Sequence, residues 1–245
     1  MRTLIFAKRV SKEIIRDPIT VFFGIFFPLV ILLLMSAIQK NVPVSIFEIE
    51  SLAPGIAVFG LSFFALFSAM IISKDRMSSF TARLFTTPLK AHEFILGYTL
   101  PMLAMAMVQL AAVFIVSIPF GLRPSVRVLL TILSNIPTVL FFISTGLLLG
   151  SLLNDKQVGG ICGALLTNIC AFLSGAWIDV ALIGGGFETA ARLLPFIHAT
   201  EAGRMIIGKG AATSDILVNL IWVMGYAVLM TVAAIAVFCR KMRHR

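Results

Sequence analysis

The feature that most constrains this chain is a series of six long apolar runs that contain no Asp, Glu, Lys or Arg. A helix needs roughly 20 apolar residues to cross about 30 Å of hydrocarbon, and each run is long enough. The six windows are 18–39, 51–73, 94–122, 128–154, 157–178 and 216–239. Only 13% of the residues are charged, against about 25% in ordinary soluble domains. We therefore predict an all-α integral membrane protein, with six transmembrane helices in a single domain over 1–245.

The basic residues predict how these spans are oriented. Lys and Arg that flank a span are retained on the cytoplasmic side of the membrane. Residues 1–17 carry five of them and residues 240–245 carry four, so we expect both termini in the cytoplasm, which requires an even number of crossings. With six crossings, 14 of the 20 lysines and arginines lie on the cytoplasmic side, in agreement with the six-span topology.

The segment 1–17 is expected to form an amphipathic helix at the membrane interface. At 100° per residue, one half of this helix is apolar and consists of Phe6, Ala7, Val10, Ile14 and Ile15. The other half is charged and consists of Lys8, Arg9, Lys12, Glu13 and Arg16. Such a helix lies in the interface, either as an elbow beside a partner or as a lipid anchor. Asp17 before Pro18 predicts the N-cap of the first span, which is too long for a signal peptide and is expected to stay in the mature chain.

The windows lack any group that titrates near neutral pH. Carriers driven by ion gradients usually keep ionisable residues within the membrane, so a gradient-driven carrier or channel is disfavoured. A non-transporting membrane assembly subunit is the other alternative. No GxxxxGK[ST] phosphate loop occurs in the sequence. If the protein transports a solute, its energy must therefore come from a separate ATPase subunit, and no enzyme activity is expected of this chain.

No catalytic or metal-binding residues are expected. The three cysteines fall in apolar stretches without a CxxC pair, and the three histidines are far apart in sequence. The net charge of +9 comes from residues at the termini and in the loops. Nucleic-acid binding would require basic residues gathered with aromatic ones on a folded surface, so nucleic acid is not expected as a partner.

The only cytoplasmic loop long enough to bind a partner covers 74–93. In order it contains Lys74-Asp75-Arg76, Ser78-Ser79-Phe80, Arg83-Leu84 and Thr87-Pro88-Leu89-Lys90, and Glu93 and Gly97 follow. This pattern resembles the type-2 ATP-binding-cassette (ABC) export permeases, in which a short coupling helix docks on the nucleotide-binding subunit. A Gly-Thr pair commonly precedes that helix in the family where this chain has Ser78-Ser79, but serine can also cap a helix.

The resemblance implies a transmembrane permease subunit of an ABC exporter in a prokaryotic cytoplasmic membrane. ATP and Mg would be bound by the partner ATPase, with no cofactor in this chain. Phe80 and Leu84, one helical turn apart, would present an apolar ridge to the ATPase. The substrate class, whether drug, peptide, lipid or glycan, stays open. The candidate ATPase-coupling residues are Arg76, Ser79, Phe80, Thr81, Arg83, Leu84 and Pro88.

A second match to this family follows the fifth span. It consists of Leu173-Ser174-Gly175-Ala176-Trp177, Leu193-Leu194-Pro195 and Glu201-Ala202-Gly203-Arg204. The family has two short re-entrant helices here, and the apolar pieces 180–187 and 193–200 are too short to cross. We therefore expect an external re-entrant helical hairpin within 179–215. Its helices would be interrupted at Gly184, Gly185, Gly186 and Pro195.

Pairs of small residues predict where helices pack against each other, and a stripe of aromatic residues predicts part of a substrate pathway. Spans associate closely at small residues, so we expect Gly146 and Gly150 to pack within one subunit, and Gly159 and Gly163 to lie near a subunit interface. A six-span half-transporter is expected to act with a second permease, identical or different, and two ATPases. The residues that could line a path for an amphipathic or apolar substrate between the permeases are Phe59, Phe63, Phe67, Asn168 and Phe172.

Overall fold

The computed structural model describes residues 2–41, 47–77, 91–208 and 212–243, and its regular elements in these ranges are all helical. Two of the helices contain a π-helical stretch, at Phe22–Phe26 and at Gly159–Leu166. In chain order the helices are α1 (Arg2–Arg16), α2 (Pro18–Asn41), α3 (Ile49–Met77), α4 (Ala91–Ser117), α5 (Val126–Ser134), α6 (Ile136–Leu152), α7 (Asp155–Leu173), α8 (Val180–Ile183), α9 (Gly185–Leu193), α10 (Pro195–Ile207) and α11 (Thr213–Arg243).

Six helical segments of the described chain are long and apolar enough to cross a membrane: α2, α3, α4, the α5–α6 pair, α7 and α11. The predicted all-α class and the six spans are thereby confirmed. The bounds differ most at the fifth span, where α7 ends at Leu173 and not at 178. It ends there because Gly175 adopts a φ of +70°, a left-handed conformation that does not continue a helix.

The third helix, α3, forms the centre of the bundle. In its apolar window 89% of the residues are buried, against 17% in α11. Its neighbours are α2, α4, α6, α7 and α10, and α11 packs on the far side of α6. The chain therefore surrounds one span with the others and leaves α11 at the edge.

Glycines allow α3 and α6 to approach each other closely. A Cβ atom on Gly146 would overlap the carbonyl oxygen of Ala65, and one on Gly150 would overlap that of Ala69. The pairs Gly146–Gly150 and Ala65–Ala69 both have a spacing of four residues, so each brings two small residues to one helix face. The backbones of the second and fourth spans are thus in direct contact.

Helix α1 packs along α4 through one apolar edge. Phe6, Val10 and Ile14 are buried, and the Phe6 ring lies edge-on to Tyr98 with 4.9 Å between ring centroids. In contrast, Ile15 is 74% exposed. The helical pattern places it on the apolar half, but it lies at the edge of that half and is not buried. The position of α1 at a membrane interface stays a prediction.

The junction of α1 and α2 follows the predicted capping pattern. The Asp17 carboxylate accepts hydrogen bonds from the Ile19 amide at 3.1 Å and from the Thr20 hydroxyl at 2.7 Å, and Pro18 is the first helical residue. Because proline lacks the amide that would otherwise be unpaired there, this sequence ends α1 and starts the first span. The predicted N-cap is confirmed.

Three short helices, α8, α9 and α10, connect α7 to the last span. Gly184 separates α8 from α9, and Gly185 is the first residue of α9; their φ values are +64° and +58°. Pro195 begins α10. The sequence predicts that Gly186 also belongs to this helix break, but in the structure it lies inside α9. The re-entrant arrangement of these helices in a bilayer stays a prediction.

Candidate functional site

A buried carboxylate at the end of α3 joins three helices. Asp75 is 6% exposed and accepts two hydrogen bonds from the Arg9 guanidinium, Nη1 to Oδ2 at 2.9 Å and Nη2 to Oδ1 at 2.8 Å. The Tyr98 hydroxyl of α4 donates a third to Oδ2 at 2.7 Å. This two-point geometry suits the planar guanidinium of Arg9. Together with the bond from Tyr98, it fastens α1 and α4 to a residue at the start of the predicted coupling loop.

The charges around this carboxylate reinforce the pairing. The hydrogen bond to Asp75 is the main cause of a raised pKa of Arg9. Glu13 lies 3.3 Å from the same guanidinium. Its pKa is raised, first by burial and then by the charge of Asp75. Arg9 thus stands between two acidic groups, one on its own helix and one on α3.

The next residue, Arg76, binds the end of the fourth span. Its Nη1 donates to the carbonyl oxygen of Gly150 at 2.9 Å and also to that of Ser151. The last carbonyl groups of a helix have no partner within the helix, and a cation is favourable at that end. Arg76 therefore caps α6, so two consecutive residues at the start of the predicted loop attach to different helices.

The remaining predicted ATPase-coupling residues lie outside the described residues. They are Ser79, Phe80, Thr81, Arg83, Leu84 and Pro88. Their role in docking an ATPase stays a prediction, while the described residues show how the end of α3 that leads to them is held.

The aromatic stripe of α3 lies inside the protomer. Phe59, Phe63 and Phe67 are 4%, 7% and 2% exposed. Successive rings along the stripe have centroids 5.6 Å and 6.4 Å apart. Phe23 and Phe27 of α2 cover the stripe, with centroids 5.8 Å and 5.5 Å from Phe63. The stripe therefore forms the contact between the first two spans.

A groove of about 420 Å³ reaches this stripe from one side of the protomer. Phe63 and Phe67 form part of its apolar wall, and Gly163 of α7 also lines it. Its charged lining residues are Glu13, Asp17 and Lys74. The groove is the place where the predicted pathway residues of α3 come near the fifth span.

The two polar or aromatic candidates on α7 face outwards. Asn168 is exposed, and its amide donates to the Ala164 carbonyl at 2.7 Å. Phe172 is 44% exposed. On the same helix, a Cβ on Gly159 would meet no atom within 4 Å, whereas one on Gly163 would touch the Leu66 side chain. Much of the surface of α7 is therefore open in a single protomer.

A second polar cluster ties the short helices after α7 to the core. Arg204 of α10 donates from Nε to the Ser51 carbonyl at 3.0 Å and from Nη2 to the Gly175 carbonyl at 2.7 Å. Burial lowers the pKa of Arg204. His198 lies 2.6 Å from the Asn219 amide oxygen, which connects α10 to α11. These bonds connect α10 to Ser51 of the second span, to Gly175 after the fifth span and to Asn219 of the sixth span.

Sequence reasoning missed the partners of Asp75 and the role of Arg204. Arg9 was one of six charged residues on α1, and Tyr98 was one residue in an apolar window. The adjacent Asp75-Arg76 pair at the end of a span was the one available signal, because a charged pair at that position is costly unless it is bonded.

The comparisons with known proteins agree with this arrangement. A family model described as ABC-2 type transporter matches residues 1–207. No curated protein matches the chain in a sequence comparison. The family match covers the first five of the six spans, the predicted coupling loop and the short helices after α7. The protein is thus a multi-pass membrane permease subunit that works with an ABC ATPase, and the chain belongs to the ABC-2 type transporter family.

Proposed function

We propose that this permease is the transmembrane half of an exporter and that its segment 74–93 docks on the ATPase. The observation that supports this most directly is the attachment of Asp75 and Arg76 to two different helices. A force applied to the loop acts on the end of α3, from which these side chains connect to α1 and α6. Both termini lie in the cytoplasm of a prokaryotic cell in this proposal, so the loop also faces the cytoplasm.

The coupling depends on a contiguous set of rigid contacts. Coupling between distant sites is carried by packed side chains and hydrogen bonds that have discrete arrangements. Here the carboxylate of Asp75 is hydrogen-bonded to Arg9 and Tyr98, and Arg76 is hydrogen-bonded to the end of α6. ATP binding by the partner would therefore displace α1, α3, α4 and α6 together. ATP and Mg belong to the partner, since this sequence has no phosphate loop.

The pathway is proposed to form between two permease subunits. The open face of α7, with Asn168 and Phe172, would meet a second copy or a related chain. The groove beside Phe63 and Phe67 would then open towards the interface. Its walls are largely apolar, and Glu13, Asp17 and Lys74 supply charged groups of both signs, so we propose an amphipathic substrate. Drug, peptide, lipid and glycan all stay open as the substrate class.

The test is a double variant, Phe80→Ala with Arg83→Glu, expressed together with the ATPase. We expect normal membrane insertion, with loss of ATPase recruitment and of transport-linked ATP turnover. The matched control is Phe120→Ala with Arg123→Glu, which makes the same chemical changes in the loop on the opposite side of the membrane and should leave both readouts unchanged. Normal recruitment and normal turnover in the first variant would rule out docking through this loop.

A further inference from the structure

The outward face of α1 carries a row of basic side chains that the proposed coupling does not use. Lys8, Lys12 and Arg16 follow one another at intervals of four residues and are exposed. At 1.5 Å per residue the row is about 12 Å long. Among the described residues, no acidic side chain forms a salt bridge with any of the three. Two acidic residues lie near the row. Glu13 is paired with Arg9, and the Asp17 carboxylate accepts hydrogen bonds at the start of α2. Basic residues still outnumber acidic ones on this face, so its net charge is positive.

An apolar cleft of about 390 Å³ lies between α1, α2 and α4. Its side chains are aliphatic or methionine except for Ser11 on the rim. Exposed Ile15 and Val108, at 74% and 55%, show that it opens to the surroundings of the protomer. The residues that line it are Ser11, Ile14, Ile15, Val21, Ile25, Pro101, Ala104, Met105 and Val108.

The basic row and the cleft share one border. On a helix, residues three and four apart are neighbours on the surface, so Lys8 lies beside Ser11, and Lys12 lies beside Ile15. Both neighbours belong to the rim of the cleft. From Pro101 to Val108 the wall formed by α4 extends about 10 Å. The site thus has a cationic rim and an apolar interior deep enough to hold part of a hydrocarbon chain.

We propose that this site binds an anionic phospholipid of the cytoplasmic leaflet, with an acyl chain in the cleft and the phosphate held by Lys8 and Lys12. Basic residues beside an apolar surface attract anionic lipids. A peptide in the same cleft would bury backbone groups against walls that offer them no partners, so charge and polarity together favour a lipid. The inference rests on the proposed cytoplasmic position of α1 and on no other part of the proposed function.

The test measures lipid binding to the purified full chain by native mass spectrometry, without the ATPase. Phosphatidylglycerol and phosphatidylcholine with identical acyl chains are titrated separately. We expect a preference for phosphatidylglycerol, and we expect Lys8→Gln with Lys12→Gln to weaken its binding about tenfold or more. The control, Arg123→Gln with Lys156→Gln, removes two exposed charges elsewhere and should keep the preference. Lys8→Arg with Lys12→Arg should also keep it.

A second variant tests the cleft itself. Ala104→Phe fills the cleft from the wall formed by α4, so binding of both lipids should weaken while the preference for the anionic headgroup remains. Equal phosphatidylglycerol affinity in the glutamine variant and its control would overturn the proposal. The same holds if the glutamine variant loses ATPase recruitment but not lipid binding, since the row would then contact the ATPase. If the glutamine variant cannot be purified, unchanged lipid binding in both Ala104→Phe and Lys12→Gln overturns it.

Discussion

Arg9 and Asp75, which are 66 residues apart in sequence, form two parallel hydrogen bonds of 2.9 Å and 2.8 Å. One partner belongs to the helix that precedes the first span, and the other lies near the end of the second span. Asp75 also accepts a hydrogen bond from Tyr98. A single carboxylate therefore holds α1 and α4 at the point from which the proposed coupling loop begins.

Removing the charge of Asp75 should loosen α1. We expect Asp75→Asn to lower the free energy of unfolding in detergent by about 1–3 kcal/mol, because Arg9 and Tyr98 lose a charged acceptor. The lower part of this range applies if solvent reaches Arg9, whose side chain is 37% exposed. Chemical denaturation measures the loss, and faster proteolysis of α1 should accompany it. As a control, Arg192→Ala breaks a more exposed pair with Glu188 and should cost about 0–1 kcal/mol. Wild-type stability of Asp75→Asn would contradict the assigned role.

Enlarging the glycines of α6 should separate the second and fourth spans. Gly146→Ala and Gly150→Ala each place a methyl group against the backbone of α3, so we expect each to destabilise the protomer by about 1–3 kcal/mol. Thermal unfolding in detergent measures the effect.

The control for this change is Gly159→Ala, whose Cβ has no neighbour within 4 Å in the protomer. It should leave the unfolding midpoint of a monomer unchanged. If it instead lowers the fraction of dimer in size-exclusion chromatography, the proposed subunit interface gains support. A Gly146→Ala protein as stable as wild type would show that α3 and α6 are not in direct contact.

Replacing Arg204 should release the short helices from the core. In Arg204→Met the carbonyl groups of Ser51 and Gly175 lose their donors, and leaving buried acceptors unpaired costs about 1–3 kcal/mol. Arg204→Lys should recover part of this loss, because one ammonium group does not reproduce the planar geometry of both bonds. Chemical denaturation of the three proteins should give free energies of unfolding that decrease in the order wild type, Arg204→Lys, Arg204→Met. The reverse order of the two variants would contradict the proposed bonding.

Two phenylalanines should respond differently to truncation. Phe63 is 7% exposed and packs between α2 and α3, so Phe63→Ala should lower the free energy of unfolding by about 3–5 kcal/mol through lost packing. Phe172 is 44% exposed, and Phe172→Ala should leave that free energy near the wild-type value while changing transport. Unfolding and transport assays on both proteins test this. The assignment of Phe63 to packing and of Phe172 to transport would be contradicted by the opposite result. In that result Phe63→Ala impairs transport without loss of stability, and Phe172→Ala is destabilised.

Several local features could be predicted because nearby residues determine them. The cap at Asp17 follows from a carboxylate that precedes proline. The break at Gly184 and Gly185 follows from residues that tolerate positive φ. Other features depend on distant residues. Ile15 fits the apolar half of α1 by its angle, but its exposure depends on where α4 lies. Likewise, no local pattern indicates that Arg204 binds the carbonyl of Ser51, which is 153 residues away.

The sequence by itself determined that this chain has six membrane-spanning helices, because uninterrupted apolar runs of that length are stable in hydrocarbon only when each satisfies its own backbone hydrogen bonds. Only the tertiary structure decided which helices touch, which glycines mark a close contact and which charges are paired. In lipid every apolar helix face is equally well solvated. The choice among neighbours therefore depends on the shapes of facing side chains, such as Gly146 against Ala65, and on single polar bonds, such as the pair of Arg9 with Asp75.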